Sequence, residues 1–325
     1  MQAISRRQLL VAGTVLASGG VRVTGAAEPP APPALNVPDH WHRAPRLPLW
    51  PGRPPGADAF DPPPPPADWP ASYRRAVAIP ELHVFRPATR SNGRALLVMP
   101  GGAYWFVSVV NEGADLAPLL TARGYTVFVL TYRLPGEGWA AREDVPLQDA
   151  QRAMRLIRAR TGEYGLDPAR LAALGFSAGG HLAATLATRH AEPTYAAIDA
   201  TDGLNARPCA TGLIYPVITM RDPWTHAMSR NLLLGEQHSA EQIDRRSAEL
   251  HVDAATSPLF LCHAIDDSAV PVENSLRMMA AMREAGRPVE AHFLQEGGHA
   301  FGIGRPDTPS AQWIGLLCAW LERLP

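Results

Sequence analysis

Three residues at wide spacing, Ser177, Asp267 and His299, could together perform acyl transfer in this 325-residue chain. Ser177 stands in Gly175-Phe176-Ser177-Ala178-Gly179, after the apolar run from Leu171 and before an Ala-rich stretch of helical character. A serine between a strand and a helix sits on a strained turn. Side chains two positions to either side would clash there, so Gly175 and Gly179 supply the room. The helix that follows points free N–H groups at the reaction centre. A glycine-rich turn with a solvent-facing serine is the plainer alternative, and the flanking strand and helix argue against it.

Asp267 lies in His263-Ala-Ile-Asp266-Asp267-Ser-Ala-Val270-Pro271, just past another apolar run. Counting back from Val270-Pro271 selects it over Asp266, which reads as solvated or capping the turn. His299 lies in Glu296-Gly-Gly-His299-Ala-Phe-Gly302, a glycine-flanked loop past the last strand-like run. Serine, acid and histidine in this chain order match one class of catalytic triad; His181, His226 and His263 do not fit it. In such a triad the serine attacks an ester carbonyl, the histidine takes its proton, and the acid holds the imidazole tautomer. The loop Met99-Pro100-Gly101-Gly102-Ala103-Tyr104 follows an early strand. Backbone N–H groups of Ala178, Ala103 and Gly102 are the expected oxyanion donors.

The elements that must carry these residues alternate regularly from Tyr73 onward. Strands are expected at Ala95–Met99, Tyr125–Thr131, Leu171–Gly175, Thr211–Tyr215, Leu259–His263 and Val289–Leu294. Helices are expected at about 112–123, 145–163, 178–190, 272–285 and 309–323, with Asp144 before Val145-Pro146 as a start signal. This alternation predicts an α/β fold: a mostly parallel central sheet, helices on both faces, and chemistry at the carboxyl ends of the strands. A short insertion at about 216–257, rich in Arg, Asp, Glu and His, takes the position of a cap. Arg133 and Asp149 read either as a pair beneath the site or as solvated surface charges.

Composition narrows the function classes. The hydrophobic fraction is 46% and the net charge −1, so no electrostatic case exists for nucleic acid or an anionic membrane surface. Cys209, Cys262 and Cys318 form no Cys-x-x-Cys spacing, which argues against a zinc or redox motif. Cys262, in an apolar run, reads as structural. Residues 1–27 resemble a twin-arginine export signal: Arg6-Arg7, a mildly apolar stretch, then Gly25-Ala26-Ala27. The expected location is therefore periplasmic or secreted, with no membrane anchor after cleavage. Residues 28–70 hold nearly half of the chain's 33 prolines and predict an extended arm without a sustained helix or central strand, pinned in part by the anchors around Trp50. The catalytic domain is expected at 71–325.

Several of these stretches together resemble a known group. They are Leu49-Trp-Pro-Gly with Pro-Pro-Gly56, the Gly-Gly-x-Tyr loop, Tyr132-Arg133-Leu134, Pro146-Leu-Gln-Asp-Ala150, Gly-Phe-Ser-Ala-Gly-Gly-His and Val270-Pro-Val-Glu-Asn-Ser275. The chain is similar, over about residues 47–320, to the acetylxylan-esterase-like (feruloyl and acetyl esterase) branch of the α/β-hydrolases. The resemblance implies a cofactor-free serine esterase acting on acylated plant polysaccharide. The family-type oxyanion motif is His-Gly-Gly-Gly; here Pro100 and Ala103 replace its ends, and the hole survives unless position 103 needs positive φ. Short acyl chains are expected, because no stretch suits a deep apolar tunnel. Tyr104, Trp105, Trp139, Trp224 and His226 are the candidates to meet an acylated saccharide, by stacking on sugar rings or bonding hydroxyls. A lipase would need an apolar cap; a non-catalytic carbohydrate-binding protein would not need the triad.

Overall fold

The computed structural model describes residues 31–62 and 64–324; the export-signal reading of residues 1–27 lies outside them. Pro33–Pro325 forms one compact unit. The ten strands among the described residues are β1 Arg46–Pro48, β2 Tyr73–Arg74, β3 Glu81–Phe85, β4 Ala95–Met99, β5 Val107–Ser108, β6 Thr126–Thr131, β7 Leu171–Phe176, β8 Thr211–Ile214, β9 Leu259–Ala264 and β10 Val289–Leu294. Eight of them form one sheet in the order β1-β3-β6-β4-β7-β8-β9-β10, and β2 pairs with β5 in a small ribbon. β1 and β3 run antiparallel to their neighbours, and every pairing from β6 to β10 is parallel. Every residue of β4, β6, β7, β8 and β9 is buried. That two-sided burial is what continuous apolar runs in a parallel sheet encode.

The helices are α1 Asp39–Arg43, α2 Leu116–Thr121, α3 Val145–Ala159, α4 Thr161–Tyr164, α5 Ser177–Arg189, α6 Ala227–Leu234, α7 Ala240–Arg245, α8 Glu273–Glu284 and α9 Trp313–Arg323. The predicted segment 145–163 breaks at Arg160, whose backbone leaves helical geometry between α3 and α4. Residues 110–114 form a π-helical turn ahead of α2. The insertion at about 216–257 holds α6 and α7.

The proline-rich arm contributes more than an extended chain. β1 pairs with β3 at the sheet edge, where proline's missing donor is tolerated, and Trp41 is fully buried and stacked on His83 at 3.8 Å. Arg133 and Asp149 are both fully buried and form a bidentate pair, so they are not solvated surface charges. Trp50 Nε1–H donates to Asp149 at 2.8 Å and Arg133 Nη1 donates to the Pro55 carbonyl at 2.6 Å. The pair therefore pins the arm to the loop after β6 and to α3.

Candidate active site

The site residues leave the carboxyl ends of neighbouring strands. Ser177 follows β7 directly and is 7% exposed, with φ at 50°. A non-glycine residue in the left-handed region is strained, and here close packing holds it. A Cβ added at Gly175 would lie 2.2 Å from the Gly179 carbonyl oxygen. One added at Gly179 would lie 2.1 Å from that of Met99. The expected reason for both glycines thus has a specific form: the start of α5 packs directly on the end of β4.

Ser177 Oγ lies 2.9 Å from His299 Nε2, and His299 Nδ1 lies 2.7 Å from Asp267 Oδ2. Because the carboxylate only accepts, Nδ1 carries the imidazole proton and Nε2 is free to accept from the serine hydroxyl. Asp267 Oδ1 takes the N–H groups of Ala269 and Val270 at 2.9 Å each. Burial pushes the Asp267 carboxyl up, but the bonds from His263 and His299, the His299 charge and the Val270 N–H outweigh it and hold it well below the usual carboxylate range.

His263 went unassigned in the sequence and has a place here. Fully buried, its Nε2–H donates to Asp267 Oδ2 at 3.2 Å and to the Val270 carbonyl at 3.1 Å, while Nδ1 accepts from the Ser275 hydroxyl. The His-x-x-x-Asp spacing was its only signal. Asp266 is not merely solvated: its carboxylate accepts the Gly298 N–H at 2.8 Å and so anchors the loop bearing His299.

Across from the serine, the loop after β4 carries φ of 123° at Gly102, 56° at Ala103 and 61° at Tyr104. Position 103 does need positive φ, against the condition set for the hole; Ala103 adopts it at a cost in backbone strain and so keeps its N–H in place. No described hydrogen bond uses the N–H of Gly102 or Ala103. Ala178, in the first turn of α5, also has no intrahelical acceptor for its N–H. These three donors remain available to a ligand. Tyr132 O–H braces the loop through the Pro100 carbonyl at 2.8 Å.

The five proposed substrate contacts separate. Tyr104 requires correction: it is 1% exposed and turned inward, its hydroxyl donating to His181 Nδ1 at 2.8 Å while His181 Nε2–H donates to the Arg246 carbonyl. Burial lowers the His181 pKa to about 4, so it works as a neutral acceptor. Trp139 also requires correction: it is 4% exposed, stacked on Phe60 at 3.9 Å and covered by Arg133, because the arm packs over it. Trp105, Trp224 and His226 are half-buried. Trp105 meets Trp69 edge-on at 5.2 Å, and the Arg75 guanidinium lies over both rings. Trp69, an arm residue, had not been singled out. His226 Nδ1 bonds the Ser229 hydroxyl, and its ring is near enough to feel the charges of His299 and Asp267.

Glu112 was also missed. It is 3% exposed in the π-helical turn, and it accepts the Gly101 N–H at 2.6 Å and the Tyr215 hydroxyl at 2.9 Å. Burial pushes its carboxyl above the ordinary range, against the pull of those two donors and of His299. Among the described residues no group of His, Cys, Asp or Glu is placed to hold a metal ion, and no helix is long and apolar enough to cross a membrane.

The BD-FAE family matches residues 82–282. An acetylxylan esterase of Xylanibacter ruminicola is 30% identical over 75% of this chain and 48% of its own length. Endo-1,4-beta-xylanase B of Butyrivibrio fibrisolvens is 33% identical over 73% of this chain and 37% of its own. The chain thus spans half or less of the length of these curated relatives. The crystal structure of an acetyl ester-xyloside bifunctional hydrolase from Caldicellulosiruptor lactoaceticus superposes with a TM-score of 0.72 at 30% identity, covering 86% of this chain and 96% of that one. Sheet order, elbow and relatives agree: the chain belongs to the BD-FAE family and has the α/β-hydrolase fold.

Proposed function

We propose that this protein is a serine carboxylesterase that removes short acyl groups, acetyl foremost, from carbohydrate such as xylan. The observation that carries the reading is the unbroken hydrogen-bond chain from Ser177 Oγ through His299 to Asp267, assembled from the ends of β7, β10 and β9. In the first half-reaction Ser177 Oγ bonds to the ester carbonyl carbon and its proton passes to His299 Nε2. The carbonyl π electrons move onto oxygen, and the N–H groups of Ala178, Ala103 and Gly102 donate hydrogen bonds to the oxyanion. Collapse expels the sugar alkoxide, which takes the proton from His299. Water then repeats the sequence on the acyl-enzyme and frees the acid. Asp267 keeps Nδ1 protonated and stabilises the imidazolium.

The carbohydrate half of the reading draws on two printed names, the acetylxylan esterase and the acetyl ester-xyloside hydrolase. It draws also on the Trp105–Trp69 pair beside the oxyanion loop, whose flat faces suit sugar rings. We extend the proposal to export: Arg6-Arg7 direct the chain to the periplasm, and Arg6→Lys with Arg7→Lys would leave it in the cytoplasmic fraction.

The deciding experiment pairs Ser177→Ala with an ester panel. The variant should lose on the order of 10⁴–10⁶-fold in turnover while folding normally. Acetylated xylo-oligosaccharide should outperform p-nitrophenyl octanoate, and truncating Trp105 should raise KM for the saccharide alone. If octanoate wins and the saccharide is untouched, the substrate assignment fails and a short-chain esterase for another alcohol remains.

A further inference from the structure

The buried carboxyl of Glu112 has no part in the hydrogen-bond chain just described, yet it bonds the oxyanion loop directly and reaches the loop of His299 through Tyr215. One oxygen takes the Gly101 N–H; the other takes the Tyr215 hydroxyl. The Tyr215 oxygen in turn accepts the Gly302 N–H at 3.1 Å, three residues past His299. The Tyr215 ring meets His299 edge-on at 5.1 Å and Phe301 at 4.5 Å. On the other side, a Cβ built at Gly101 would fall 2.8 Å from the Ser177 Cβ, so the peptide that Glu112 grips abuts the nucleophile. The neighbouring Asn111 repeats the bridge: its side chain accepts the Ser108 hydroxyl at 2.7 Å, and its carbonyl oxygen would be 3.0 Å from a Cβ at Gly302.

The chemistry of the link is specific. Each of the two donors meets its own carboxyl oxygen, Gly101 N–H on Oε2 and the Tyr215 hydroxyl on Oε1, and an amide in the same place would turn one of those acceptors into an N–H donor. Burying a carboxyl is costly unless it is hydrogen-bonded, and here both oxygens are bonded by donors from two different segments. With the Gly101 N–H committed to Glu112, the N–H groups of Gly102 and Ala103 are the ones left for an oxyanion. Resting on the hydrolytic reading above, we propose that Glu112 is a positioning residue that fixes the oxyanion loop relative to the loop of His299, through Gly101 on one side and Tyr215 on the other.

The test compares Glu112→Gln, Glu112→Ala and Tyr215→Phe in the full chain, with p-nitrophenyl acetate as substrate. A trifluoromethyl ketone serves as the oxyanion probe: Ser177 Oγ adds to its carbonyl carbon, the π electrons go to oxygen and the proton goes to His299. Glu112→Ala should lower kcat by roughly 10²–10³-fold, as for loss of one oxyanion donor, with KM nearly unchanged. Glu112→Gln keeps the shape but only one acceptor, and should lose about tenfold in kcat, as should Tyr215→Phe. The ketone should weaken in proportion to kcat/KM in all three. Should the alanine variant fail to fold, the near-isosteric glutamine and the phenylalanine variants decide alone. Wild-type kcat in the folded variants, a loss confined to KM, or unaltered ketone affinity beside a fallen kcat each overturns the inference. Ser177→Ala, run alongside, separates the two failures: turnover surviving there sinks the hydrolytic reading, whereas a dead Ser177→Ala beside fully active Glu112 variants sinks only this one.

Discussion

The turn that carries Ser177 and the loop that carries Gly102 and Ala103 face one another, and both hold backbone in the left-handed region. They are fixed by different means. The serine turn is fixed by backbone sterics: Gly175 has no room for a side chain against Gly179 of its own turn, Gly179 has none against Met99 and Pro100 at the end of β4, and α5 starts where β7 ends. The oxyanion loop puts positive φ on an alanine and a tyrosine as well as a glycine, so backbone preference alone would not hold it. It is tethered by side chains outside it, 11 to 77 residues along the chain: Glu112 on the Gly101 N–H, Tyr132 on the Pro100 carbonyl and His181 on the Tyr104 hydroxyl. One strained turn is thus held by backbone packed on backbone where glycines allow it, and the other by hydrogen bonds from side chains outside it.

Four experiments would break or sharpen this contrast. The largest effect is expected where neither mode of fixing is touched but the histidine loses its partner. Asp267→Asn should cost about 10⁴-fold in kcat/KM by leaving the imidazole in the wrong tautomer. Asp266→Asn, which disturbs only the Gly298 contact, should cost far less; the reverse ranking would show the roles misassigned. Next comes Gly179→Ala, whose Cβ must push Met99 and Pro100 backbone aside and so shifts both regions together. Activity should fall by on the order of 10²-fold or more, because a displacement near 1 Å at the reacting atoms suffices for that. A fully active Gly179→Ala variant would mean the two regions are not in contact as described.

The third concerns the bridge between the regions, His181 on α5 and Tyr104 on the loop. Burial holds the folded-state pKa of His181 near 4, below its ordinary 6.5, so the unfolded chain binds the extra proton in between. Stability linked to this group is therefore fully present above about pH 6.5 and is lost as pH falls toward 4, by on the order of 3 kcal/mol. Burial also lowers the pKa of His190, His226 and His251, so both proteins keep some slope; urea titrations should show a steeper one in wild type than in His181→Gln, and parallel slopes would contradict a buried neutral imidazole. The smallest effect is expected from Ala103→Gly. Relief of the strained φ and the added freedom of the unfolded chain oppose each other, each worth about 0.5–1 kcal/mol. Melting temperature and turnover should stay close to wild type, whereas a large loss would mean the alanine methyl has a contact of its own.

Much of the site could be read in the chain because its reasons are local. The Gly-x-Ser-x-Gly pattern, the Val270-Pro271 spacing that picked Asp267, and the strands announced by continuous apolar runs all depend on sterics or burial within a few residues. What was misread depended on partners with no fixed spacing. Tyr104 and Trp139 looked like ligand-facing aromatics, and only the packing of α5 and of the arm shows them turned into the interior. The arm itself was read as extended chain because proline excludes a central strand, but an edge strand needs donors on one side only, and β1 takes that place.

The sequence by itself therefore determined the α/β class, the strained serine turn and the order of serine, acid and histidine, since glycine sterics and hydrophobic periodicity act over short distances. The tertiary structure alone decided that Glu112 meets Gly101 and Tyr215, that His263 supports Asp267, and that Arg133 and Asp149 are buried beneath the arm. A lone polar residue carries no local sign of its partner. Whether it lies in water or holds two loops together is settled only when the sheet brings distant strand ends side by side.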